Sequence, residues 1–259
     1  MSEAQARARS MPADCDRIET ELRRVVAARD EVLAIVSHDL RNPLSAAQLS
    51  TRLLGELGLD ERGRKHLEMI QRAIRSMSRL IDDLLDAVSI DGGKLALDLR
   101  PVPVAAVMTE LRERNESTAR DRGVELRVAG EAPRDAPGVA SDVAILCDRT
   151  RVLQVFGKLI ANAVTFCRAG DAVSIASQVA DDAVEFSLAD TGAGIDPGLV
   201  PHLFEPYWSA PPNIRRRIGL GLYIAKGIVE RHGGRIRVDA RPGAGPAIAF
   251  TIPRAPKAA

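Results

Sequence analysis

At 259 residues the chain is long enough for one large domain or two modest ones with real cores, and a 46% hydrophobic content excludes wholesale disorder. A formal net charge of +1 excludes a global electrostatic pull toward nucleic acid or an anionic membrane surface. Aromatics at 3% fit Leu/Ala/Val-rich helices better than an aromatic-packed β-sandwich. Cys15, Cys147 and Cys167 are odd in number and unrelated in spacing, so they read as reduced thiols of a cytoplasmic protein. No run approaches the ~18 apolar residues needed to span a bilayer. Met1 to Ala13 lacks the apolar centre of an export signal. The expectation is a soluble intracellular chain with no membrane insertion.

Residues 1–15 are expected to fray. From Asp16, apolar residues Ile18, Leu22, Val25 and Val32 recur at helical spacing, which predicts one helix to about Leu57. Leu33, Val36, Leu40, Leu44, Ala47 and Leu54 define a seam expected to be buried. His38 falls opposite that seam, and Asn42, four residues on, shares its face. Pro43 is expected to kink the helix rather than end it, because the period continues beyond it. A solvated imidazole is partly uncharged and nucleophilic near neutral pH. Asp39 can hold one ring nitrogen and take a proton as the other attacks. A histidine without chemistry is the alternative, and the flanking acid and amide argue against it.

The second helix is predicted over residues 62–90. Leu67, Ile70, Ile74, Met77, Ile81, Leu84 and Val88 alternate steps of three and four, a heptad seam over three repeats. Two such helices cannot bury their stripes as an isolated hairpin, so a homodimeric four-helix bundle is expected. Asp91-Gly92-Gly93 ends the helix and marks a domain boundary. Beyond it the texture is mixed. Pro101 and Pro103 break an alternating stretch, residues 104–122 are helical, 123–128 form a short strand, and 130–141 form a Pro/Gly loop. A helix over 150–166 follows, then strands at 172–179 and 183–189 about an Asp181-Asp182 turn. Residues 219–232 are helical, and strands at 235–239 and 247–252 close the chain. Strands and helices without regular βαβ alternation predict an α+β layer.

A second group of residues points to a nucleotide. Asp190 shares strand parity with Val184, Phe186 and Leu188, which places an acid without an evident partner on a buried face. A ligand with an amino donor would satisfy it. Gly192 and Gly194 let the backbone approach a ligand closely. In the helix before them, Asn162 lies off the apolar stripe, on a polar flank with Lys158 and Thr165. Its amide oxygen could ligate a hard cation such as Mg²⁺. Gly219-Leu220-Gly221 opens a helix, where backbone N–H groups and the helix dipole suit a phosphate. Leu203-Phe204-Glu205-Pro206-Tyr207-Trp208 is either the base of a lid or simple core. Arg215-Arg216-Arg217 reads as a solvated loop.

Residues 36–44 resemble the phosphoacceptor box of sensor histidine kinases. Lys158–Phe166, Asp190–Gly194, Leu203–Tyr207 and Gly219–Leu222 resemble that family's N, first glycine, F and second glycine boxes, in the family's order. The resemblance spans roughly residues 25–255. It implies a dimerisation and phosphotransfer region over 16–91, then a Bergerat-type ATP-binding domain over 94–255. The fold class it implies is an α-helical hairpin, a four-helix bundle in the dimer, followed by an α/β sandwich. By position, His38 would be the phosphoacceptor, Asp39 its acid/base helper, and Asn42 the amide that positions water for phosphatase chemistry. Asn162 would coordinate Mg²⁺ and Asp190 would bind the adenine amino group of ATP. Gly192 and Gly194 would shape the pocket, Phe204 the lid base, and Gly219, Leu220 and Gly221 the phosphate side.

The pattern departs from the family at three places. Lys158 stands where the N box has a second Asn, Thr165 where it has a basic residue, and Arg217 where the second glycine box has another Gly. Lys158 could supply the charge missing at Thr165, and the lid between Trp208 and Ile218 is short. The leading expectation is a homodimeric histidine kinase. It autophosphorylates His38 from ATP and passes the phosphoryl group to an aspartate of a separate response regulator. With no receiver domain and no room for a sensor before residue 30, regulator and sensor are expected on partner chains or on a longer protein. The alternative is a dimeric scaffold or phosphatase with a degenerate ATP site. A related ATPase or a serine-directed kinase would leave the histidine box unexplained.

Overall fold

The computed structural model describes residues 32–33, 35–37, 39–129, 143–208, 219–239 and 247–256. The expectations for residues 1–31, for His38, for the lid and Arg215–Arg217, and for the loops at 130–142 and 240–246 lie outside the described residues. The chain divides into two compact units, 1–94 and 95–259. Among the described residues no helix is long and apolar enough to cross a membrane.

The first unit is a helical hairpin. α1 is continuous over 39–56, so it does not end at Pro43, and α2 spans Glu61–Asp91. Asp60 caps α2 by accepting the Gly63 N–H at 2.7 Å, and Gly92 follows its last turn. The helices are tied by an Arg41–Asp82 ion pair at 2.7 Å and by Gln71, whose Nε2 donates to the Thr51 carbonyl at 3.2 Å. Leu67, Ile74 and Ile81, seven residues apart, are buried. Between them Ile70 and Met77 stay 47% and 45% exposed, against 4% for Ile74. On α1 the expected seam is only partly covered: Leu33, Leu44 and Ala47 are half-buried, whereas Val36, Leu40 and Leu54 are exposed. The reason is geometric, since one facing helix covers a narrower arc than the stripe occupies.

The second unit is a helix layer on a mixed sheet. Its elements are β1 Arg100–Pro103, α3 Val104–Arg120, β2 Glu125–Val128, β3 Ala144–Cys147, α4 Arg149–Phe166, β4 Ala172–Val179, β5 Ala183–Asp190, α5 Gly221–Arg231, β6 Ile236–Asp239 and β7 Ala247–Pro253. A short 3-10 helix lies at Pro197–His202. The main sheet runs β2-β4-β5-β7-β6, with β2 and β4 parallel and the other pairs antiparallel. β1 and β3 pair separately as an antiparallel ribbon.

The expected break at Pro101 and Pro103 is corrected, because both lie inside β1. The prolines share strand parity, so the missing N–H groups fall on one side and the other side still pairs with β3. β5 alternates with every second residue buried, so Val184, Phe186, Leu188 and Asp190 all point into the helix layer. There Phe156 of α4, Phe186 of β5 and Phe250 of β7 meet with ring centroids 5.1–5.3 Å apart. This cluster fixes α4 over the centre of the sheet, with Asn162 held on α4's flank.

Candidate functional site

The end of β5 and the second half of α4 line a small pocket. Its apolar walls are Leu159, Ala163, Phe166, Leu188, Ile195 and Ile248. Asn162, Asp190 and Gly194 converge on it. Three segments separated in sequence therefore meet at one place. The apolar walls were not singled out in the sequence, because their periodicity marks them only as core.

Asp190 is 7% exposed. Contrary to the expectation that it lacks a partner, its Oδ1 accepts the Gly192 N–H at 2.9 Å. This is an Asx turn, a closure for which the Asp-x-Gly spacing is itself a signal. It orients the carboxylate. Burial pushes the carboxyl pKa above the usual Asp range, the Gly192 bond pulls it back, and the Asp171 charge raises it again. Gly192 admits no side chain, since a Cβ there would lie 2.9 Å from Asp190 Oδ1 and 3.0 Å from the Phe166 carbonyl. Gly194 has a φ of +82°, a left-handed conformation that favours glycine.

Behind Asp190, Thr191 locks the turn to the start of β4. Its Oγ1 donates to Asp171 at 3.1 Å and accepts the Ala172 N–H at 3.0 Å. Cys167 is close by. Burial first, then the Asp190 and Asp171 charges, push its thiol up to about 11, so it stays protonated at neutral pH. Burial does the same to Cys147, also to about 11.

The remaining expected residues lie around the pocket rather than in its lining. Lys158, one turn before Asn162 on α4 and so about 6 Å along the axis, runs beside the second glycine segment. Its Cδ would sit 3.8 Å from a Cβ at Gly221. Gly221 opens α5, and no side chain caps that helix. Gly219 is glycine for a steric reason, because a Cβ there would collide with the Trp208 carbonyl. Leu220 is buried, Leu203 is buried, and Phe204 is half-buried outside the pocket wall. Thr165 turns its hydroxyl back to the Ala161 carbonyl of its own helix at 2.7 Å. In the hairpin, Asp39 and Asn42 are exposed on α1.

The lining offers apolar walls, one oriented acceptor at the end of β5 and an amide, the groups with which a flat ring bearing an exocyclic amino group could be bound in chemical terms. From there the α4 flank leads past Lys158 to an uncapped helix start, where N–H groups and the helix dipole favour a phosphate chain. Two family models match the chain. One, for the His Kinase A (phospho-acceptor) domain, covers residues 28–93, and the other, for the histidine kinase-, DNA gyrase B- and HSP90-like ATPase, covers residues 147–256. The chain is 31% identical over 220 residues to the sensor protein DivL of Caulobacter vibrioides, covering 84% of this chain and 27% of that protein. It is 31% identical over 245 residues to the sensory/regulatory protein RpfC of Xanthomonas campestris, covering 91% and 32% respectively. The crystal structure of full-length ShkA in complex with AMPPNP superposes with a TM-score of 0.71 at 27% identity, covering 88% of this chain and 47% of that one. The chain thus spans about a third or less of these curated relatives.

Proposed function

We propose, from the premise that the chain belongs to the sensor histidine kinase family, that it phosphorylates His38 from ATP and passes the group to an aspartate of a separate response regulator. The observation that carries this reading is the convergence of Asn162, Asp190 and Gly194 on one pocket, with Lys158 running from it to Gly221. Adenine enters between the apolar walls and donates its amino group to Asp190. Gly192 and Gly194 keep the wall thin, and Phe204 belongs to the segment that precedes the lid in sequence. Lys158, Gly219, Leu220 and Gly221 face the phosphates. Asn162 is the residue suited to hold Mg²⁺, which when bound neutralises phosphate charge.

A ring nitrogen of His38 attacks the γ-phosphorus, the bond to the bridging oxygen breaks, and ADP leaves. Asp39 receives the ring proton. Asn42 serves the reverse traffic by orienting water on the phosphorylated regulator. The exposed Ile70 and Met77, with Leu49 and Leu53 on α1, supply the face for a second copy. A cytoplasmic location and a separate sensor partner complete the reading. The position of Lys158 beside Gly221 argues against the degenerate-scaffold alternative, because it puts a cation where the phosphates would lie.

Purified chain with radiolabelled ATP and Mg²⁺ should acquire acid-labile, base-stable phosphate. His38→Gln should lose the label and keep nucleotide binding. Label that persists in that variant refutes the assignment.

A further inference from the structure

The passage from α2 into the second unit is short and fastened at both ends. The Gly92, Gly93 and Lys94 N–H groups donate back to Val88, Ile90 and Ser89 of α2, and Gly93 takes a φ of +64°. The next residue, Leu95, is buried. Its carbonyl accepts two bonds from the Arg231 guanidinium, from Nε at 3.2 Å and Nη2 at 2.9 Å. Three residues on, the Asp98 N–H donates to Asp148 Oδ2 at 3.2 Å. Asp148 is also the N-cap of α4, accepting the Arg151 N–H at 3.2 Å. Its own N–H donates to His232 Nε2 at 3.1 Å. That ring's Nδ1 donates to the Ile228 carbonyl at 2.7 Å, which fixes the neutral tautomer with both nitrogens engaged. One end of α5 thus holds residue 95 directly and residue 98 through Asp148. The other end of the same 11-residue helix is the glycine segment beside Lys158.

We propose that Arg231 and His232 are positioning residues for phosphoryl transfer: they clamp the entry strand to α5, so that only Gly92, Gly93 and Lys94 separate the end of α2 from the first residue held by the second unit. Neither residue lines the nucleotide pocket. The inference rests on the kinase reading above. An anchor of this kind acts on the geometry of the transfer step and leaves ATP affinity alone. Loosening it lengthens the tether from three residues to about six or more, and misplacement of reacting groups by even an ångström costs up to about 100-fold in rate.

The test uses the full chain with Arg231→Met and Arg231→Lys, and Arg237→Met as a control that loses a surface ion pair with Glu185. In Arg231→Met, kcat for His38 labelling at saturating ATP should fall roughly 10- to 100-fold. KM and Kd for ATP should not change, and the amides of residues 95–98 should exchange hydrogen faster. Arg231→Lys should recover part of kcat, because an ammonium can donate to the same carbonyl. Arg237→Met should match the unmutated chain. An unchanged kcat in Arg231→Met overturns the proposal, and so does a kcat loss matched by equal losses of ATP affinity and thermal stability. If the unmutated chain fails to label His38, the kinase reading falls. Hydrogen exchange still decides the clamp in that case, since unaltered exchange at 95–98 in Arg231→Met refutes it.

Discussion

Replacing Asp190 with Asn should move nucleotide affinity and fold stability in different directions. Without ligand the carboxylate is nearly buried, and burial, with a smaller push from Asp171, raises its pKa despite the Gly192 N–H. An acid with a raised folded pKa is least costly below its unfolded value of ~3.9, and that stability is lost as pH rises through the folded value. At neutral pH the ionised form therefore works against folding. Asn keeps an oxygen for the Gly192 N–H at 2.9 Å and has no charge to desolvate. The variant should melt no lower than the unmutated protein at neutral pH, and any advantage should shrink on acidification as Asp190 takes up its proton. With ligand, losing a charged acceptor for an amino donor costs roughly 1.5–3 kcal/mol, or about 10- to 150-fold in Kd. Thermal melts across the pH range and calorimetric titration with ATP and ADP read the two effects separately. A variant that melts clearly lower at neutral pH, or that binds ATP as tightly as before, would refute the reasoning.

Light scattering at micromolar concentration should give about twice 27.9 kDa. Ile70→Asp with Met77→Asp should yield a folded monomer, and Ile74→Asp with Ile81→Asp should unfold the hairpin, because only the second pair buries its charges within one chain. A native monomer in the unmutated chain would sink the dimer. Lys158→Ala should weaken ATP more than ADP, by roughly 1.5–3 kcal/mol in the presence of Mg²⁺. Equal losses, or a rise in ATP affinity in Lys158→Asn, would mark the lysine as a defect. Burial holds the His232 pKa below the ordinary histidine value. The stability it contributes is present above that ordinary value and lost as pH falls through the folded one. His232→Gln should therefore show a shallower fall in melting temperature between neutral and mildly acid pH, and an unchanged slope would count against the tautomer assigned to it.

Periodicity read well wherever one face decides. The α2 heptads, the β4–β5 hairpin about Asp181-Asp182 and the parity of Asp190 all follow from alternation between one apolar and one polar side. It failed where partners are distant or short. β3 is only four residues, and its pairing with a proline-bearing β1 is set by a chain crossing that leaves no local mark. On α1 the exposed Val36, Leu40 and Leu54, like Ile70 and Met77 on α2, accord with the expectation that the two helices cannot bury their stripes as an isolated hairpin. At the site, Asn162, Asp190 and Gly194 were visible as chemistry out of place. Ile195 and Ile248 were not, because an apolar wall looks like any other core. The Arg231–Leu95 clamp was invisible for another reason: it joins a side chain to a backbone carbonyl 136 residues away.

Trp208 has a consequence of a practical kind. It is the only tryptophan in the chain. It is half-buried, and its carbonyl sits where Gly219 can have no side chain. Indole emission from the whole protein therefore comes from a single point at the edge of the second glycine segment. The spectrum needs no added dye and no deconvolution, and every nanometre of shift belongs to that edge. The molecule thus carries its own optical gauge beside Gly219.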